Sequence, residues 1–127
     1  MSNFISGIIV GIIILQTAVF APTLFKTLDM PSAGALLRAL FPKFFVLIAL
    51  LGASLLAFLL SQTGSSVLAL GVGGGSFVFP ILCRLMVPAT NKARDEGDDK
   101  RFKRLHMWSV ILTLLVLFGN IAMPFLA

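Results

Sequence analysis

Apolar positions in this chain come in four long runs, with little of the alternation that marks strands. Phe4–Phe25 contains no charged residue and as a helix would be about 33 Å long, enough to cross a hydrocarbon core of about 30 Å. Phe44–Leu60 is a second apolar run, at the short end for a span. The third begins at Val67 and reaches Cys83 or a little beyond, and the fourth runs from about His106 to Phe125. The pattern predicts an all-α fold. It is an integral membrane four-helix bundle forming one transmembrane domain over residues 1–127, with spans at about 4–25, 44–60, 67–87 and 106–125.

The connections differ in character. In Thr27–Pro42, Asp29 followed by Pro31 signals a helix start, and Ala33, Leu36, Leu37, Leu40 and Phe41 repeat at helical spacing with Arg38 off that face. This predicts a short interfacial helix between spans one and two, ended by Pro42. Ser61–Ser66, SQTGSS, suits a tight uncharged turn between spans two and three. Thr90–Arg104 reads as a solvated loop of mixed charge, with a docking surface for a partner or for anionic lipid headgroups as the sharper alternative. No basic segment precedes the first run, and a signal cleavage after Ala21 would fall directly before Pro22, so the first span is expected to be retained.

Within the spans, small residues and prolines predict how the helices meet. Gly7 and Gly11 form a GxxxG pair that lets another helix come close. The run GVGGGSFVFP lacks the Lys-Ser/Thr that a phosphate loop needs, so Gly71 and Gly75 are assigned to helix packing as well. Pro22 and Pro80 leave the carbonyls of Ala18 and Ser76 without their usual donors, and kinks are expected at both.

Composition sharpens this picture. Hydrophobic residues make up 58% of the chain and charged residues 12%, with mean hydropathy +1.04, which leaves too few polar side chains to coat a soluble monomer. The net charge of +5 does not point to nucleic acid, because no Lys or Arg precedes Lys26 or follows Arg104. The positive-inside rule instead places the charged connections, residues 26–43 and 84–104, in the cytoplasm, and both termini on the other side of a plasma (inner) membrane. The expected partners are the lipid bilayer and either a second copy of the chain or a larger membrane protein complex.

The candidate chemistry lies mainly on the fourth run. At 100° per residue, His106, Ser109, Thr113 and Asn120 fall within about 60° of one another and form a polar stripe. Gln16 and Thr17 reach a similar depth from the first span, so a polar seam between spans one and four is expected. His106, Cys83, Met86 and Met107, with Met30 nearby in depth, are candidate ligands for copper, and His106 for haem, though no pair has a recognisable ligand spacing. One histidine and acids confined to the connections offer no catalytic triad or carboxylate pair, so neither enzyme activity nor a resident cofactor is expected.

The segments APTLFKTLDMPSAGALLRALFPKFF and NKARDEGDDKRFKRLHMWSVILTLL together resemble the transmembrane protein 205-like family, small four-span membrane proteins with a domain of unknown function. Pro22, Phe25, Arg94, Asp95, Phe102, Leu105, His106 and Ser109 match that pattern, while Thr113 stands where the family commonly has asparagine. The resemblance implies four spans and no established activity. More distantly, the architecture is similar to copper-resistance D-type and membrane protoporphyrinogen-oxidase-type proteins, whose multiple span histidines this chain lacks. Three functions are therefore open: a non-catalytic protein that acts by helix packing, a small transporter using the polar seam, and haem or copper handling at His106.

Overall fold

The computed structural model describes residues 1–126, and all four apolar runs are helical. The first span is α1 (Ser2–Ile14), a π-helical segment (Leu15–Phe20) and α2 (Ala21–Thr27). After a two-residue connection come α3 (Met30–Ser61), α4 (Val67–Asp95) and α5 (Asp99–Leu126). The spans form an up-and-down ring in which α3 packs on α4, α4 on α5, and α1 on both α5 and α3. Ile9, Ile13, Phe45, Ile48, Leu55, Cys83, Val116 and Met123 fill its centre. Residues such as Leu50, Leu85 and Phe118 face outward, as a lipid-facing surface requires.

Several boundaries differ from the sequence expectation. Asp29 does cap a helix, accepting the Ser32 N–H at 3.2 Å, but that helix continues through Pro42 to Ser61, so there is no separate interfacial helix. Pro42 removes only the bond to the Arg38 carbonyl, which lies at the wet end of the helix where water can serve it. Phe41 stacks on Phe45 at 5.8 Å between ring centroids, and Phe44 meets Phe45 edge-on at 5.4 Å, which clasps the helix across the proline. The supposed loop Thr90–Arg104 is also largely helical. α4 runs to Asp95, Gly97 takes φ +70°, and Asp98 caps α5 by accepting the Arg101 N–H at 3.2 Å. The charged sequence is thus a helical tip extending roughly 12 Å beyond the apolar part of α4 and α5.

The first span shows where Pro22 acts. The turn preceding the proline is widened, and the Ala21 N–H donates to the Gln16 carbonyl five residues back. A proline that cannot donate to Ala18 is absorbed by this π register. Among the described residues the π segment makes no close approach to α5, and the first span meets the fourth through α1.

Helices in lipid gain nothing from burying apolar surface against one another, so close packing and polar contacts hold the bundle. The glycines that permit this are Gly52 and Gly73. A methyl at Gly52 would overlap the Ser76 carbonyl and lie 2.6 Å from the Phe77 nitrogen, and one at Gly73 would lie 3.2 Å from the Leu56 Cα. Within the monomer, Gly7, Gly11, Gly71 and Gly75 are not where the helices meet. Among the described residues, nothing stands within 4 Å of a methyl at Gly7, Gly11 or Gly71, because these positions face outward, and one at Gly75 meets only Phe79 of its own helix.

Pro80, likewise expected to kink its span, is buried inside an unbroken α4. The Ser76 carbonyl that it deprives of a donor is the group Gly52 approaches, so the Gly52 Cα–H points at it. Gly52→Ala is expected to lower stability in mild detergent by about 1–3 kcal/mol through overpacking. Gly71→Ala, on an open face away from α1, should not lower it by more than about 0.5 kcal/mol. Denaturant titration of helicity for the two variants checks the contrast.

Candidate functional site

The polar residues singled out in the sequence divide between the bundle interior and its charged end. Asn120 is buried on α5, and its Nδ2 donates both to Ser76 Oγ of α4 and to the Val116 carbonyl, each at 2.8 Å. Among the described residues its Oδ1 is buried with no donor, and Ser6 Oγ on α1 is buried with no partner. Thr113 donates to the Ser109 carbonyl at 2.7 Å, and the Cys83 thiol approaches the same carbonyl at 3.7 Å. Thr17 donates to the Ile13 carbonyl at 2.8 Å. Gln16 is buried but bonds to none of the fourth-span residues.

The seam expected between Gln16, Thr17 and the fourth span therefore does not form. The π turn holds those two residues away from α5, and the threonine hydroxyls satisfy themselves on their own helix backbone, as they do in dry surroundings. The interior side-chain pair that does join two helices is Asn120 to Ser76, between α5 and α4. Ser76 was hidden inside a glycine run, yet a serine four residues before a proline in an apolar span was the available signal.

His106 lies at the charged end and is exposed. Its ring stacks on Phe102 with centroids 5.7 Å apart and planes 6° from parallel, and the Arg94 guanidinium stands 4.7 Å from the Phe102 centroid. This row ties the end of α4 to the start of α5. On its other side, α4 is tied to α3 by a two-pronged pair between Arg38 and Asp95, with Nη1 to Oδ2 at 3.2 Å. Asp29 caps α3 nearby, and the Ser32 side chain and N–H hold its carboxyl below the usual carboxylate range. It therefore keeps its charge at the helix N-terminus until the pH falls through that lowered value.

The sulfur and imidazole candidates do not converge. Cys83 faces the core, Met86 is partly buried, and His106, Met107 and Met30 face outward. Among the described residues, no three His, Cys, Asp or Glu side chains come together. A cavity of about 10 Å³ lies among Ile13, Phe44, Phe45, Pro80, Cys83 and Thr113, at the lower limit for one water molecule.

The Asn120–Ser76 contact gives this interior its measurable chemistry. A double-mutant cycle of Asn120→Ala and Ser76→Ala is expected to yield a coupling of about 0.6 kcal/mol and at most about 1.7 kcal/mol, the range for hydrogen bonds between membrane helices. Additive unfolding free energies in detergent would show that the bond contributes nothing.

No curated protein and no solved structure matches the chain. One family model does, and it covers residues 4–125, from the start of the first span to the end of the fourth. The chain belongs to that family, described as a domain of unknown function (DUF4149).

Proposed function

We propose that this membrane protein is non-catalytic and acts by packing against other membrane helices, as a homo-oligomer or as an accessory subunit of a membrane complex. The observation that carries this reading is the open face of α1. Gly7 and Gly11 sit one turn apart with nothing in front of either, on the side opposite the buried Ser6, Ile9 and Ile13. Such a pair lets a second helix approach to backbone distance. The likeness of APTLFK and RDEGDDKRFKRLHMWSV to transmembrane protein 205-like proteins supports the same four-span reading.

The proposed setting is the plasma (inner) membrane. All ten Lys and Arg lie at one end of the bundle, which is therefore assigned to the cytoplasm, with both termini opposite.

Purification in mild detergent should give a stable oligomer or a stoichiometric partner. Gly7→Leu with Gly11→Leu should release a monomer that keeps its helicity. A wild-type chain that runs as a clean monomer, without a partner, overturns the reading. For orientation, Gly97→Cys in a Cys83→Ala background should resist an impermeant maleimide in intact cells, while Thr63→Cys should react. The reverse pattern refutes the assignment.

A further inference from the structure

Ten Lys and Arg crowd the charged end, but they are not equivalent. Arg38 is engaged by Asp95, Lys92 lies 4.0 Å from Glu96, and Arg94 covers Phe102. Lys100, Arg101, Lys103 and Arg104, all in the first turns of α5, have no carboxylate within ion-pair distance among the described residues. The nearby acids of this connection have other roles. Asp98 caps the helix through the Arg101 N–H, and Asp99 sits in its first turn.

These four cations stand at the head of a continuous apolar column. On α5, Lys100, Arg104, Met107, Ile111 and Phe118 fall within about 60° of one another, and all are exposed. Lys103 flanks this face on one side and Arg101 and Trp108 on the other, with Trp108 one turn below Arg104. From Met107 to Phe118 the column runs about 16 Å, the depth of one leaflet of a hydrocarbon core about 30 Å thick. Unpaired cations at headgroup level, an interfacial tryptophan and an apolar strip one acyl chain long occur here in the order in which a phospholipid presents its parts.

The geometry points to a binding site for an anionic phospholipid on the outer face of α5, taken from the leaflet at the charged end. Lys100, Arg101, Lys103 and Arg104 hold the headgroup phosphate, and Met107, Ile111 and Phe118 lie along an acyl chain. Positive bias for topology alone would make any cation at this end serve equally well. The site instead assigns the preference to these four. It does not depend on whether α1 takes a partner.

Trp108 is the chain's single tryptophan, so its fluorescence reports on this site directly. The protein is reconstituted into phosphatidylcholine vesicles containing either phosphatidylglycerol or phosphatidylcholine with brominated acyl chains, and quenching is titrated for each. The expected ratio of apparent affinities favours brominated phosphatidylglycerol by about fivefold or more, the contribution of one cation near a charged surface. Replacing all four cations by glutamine should bring the ratio to one. Lys26→Gln with Lys43→Gln, which removes charge from α2 and α3 at the same end, should leave it unchanged. If the fourfold variant does not insert, Lys100→Gln with Arg104→Gln should shift the ratio in the same direction. A wild-type ratio of one overturns the site, and so does an equal loss in both sets of variants, which would mark a general surface potential.

Discussion

Ser76 is the point where three helices are fixed to one another. Pro80 takes away the donor that its carbonyl would have had, and Gly52 of α3 brings its backbone against that carbonyl. The Ser76 hydroxyl, on the same residue, accepts a hydrogen bond from Asn120 of α5. In a bilayer, where apolar side chains meet lipid as readily as each other, such a meeting of a glycine, a freed carbonyl and an amide sets axial register. The neighbouring close approach of Gly73 to Leu56 follows from the same register, as does the fit of Val72 against Gly119. Leucine and isoleucine fill the remaining space without specifying it.

The charged end solves a different problem. Three helices emerge from the membrane and would splay apart, because water removes any reason to keep their polar faces together. Arg38 with Asp95 on one side, and Arg94 over Phe102 stacked with His106 on the other, tie α3 to α4 and α4 to α5. These contacts are exposed and screened by salt, so they position the helices more than they stabilise them. His106 belongs to this tie, outside the interior stripe to which its wheel position assigned it.

The spans, the Asp29 helix start and the SQTGSS turn were legible because hydropathy and capping are local signals. Continuity of α3 through Pro42, and of α4 to Asp95, was not, because proline and charge are helix-ending signals only when nothing nearby satisfies the backbone. The polar seam was misread for a geometric reason: equal depth does not place Gln16 beside Thr113 once a π turn has moved the first span off α5. Gly7 and Gly11 stood out as a motif, while the lone Gly52 among leucines carries the tightest contact. Which glycine faces a neighbour is decided by helix rotation, and the sequence does not print that rotation.

The ring order has a consequence for how the molecule comes into being. α3 and α4 share the most extensive interface and are joined by a short turn, so they can meet as soon as both are in the bilayer. The seat of α1, by contrast, is built from α3 and α5, the latter being the last of these four spans to be made. Of the four spans, the first to be made is thus the last whose berth is complete. Until α5 arrives, the buried face of α1, Ser6 included, has only part of the protein wall that later covers it.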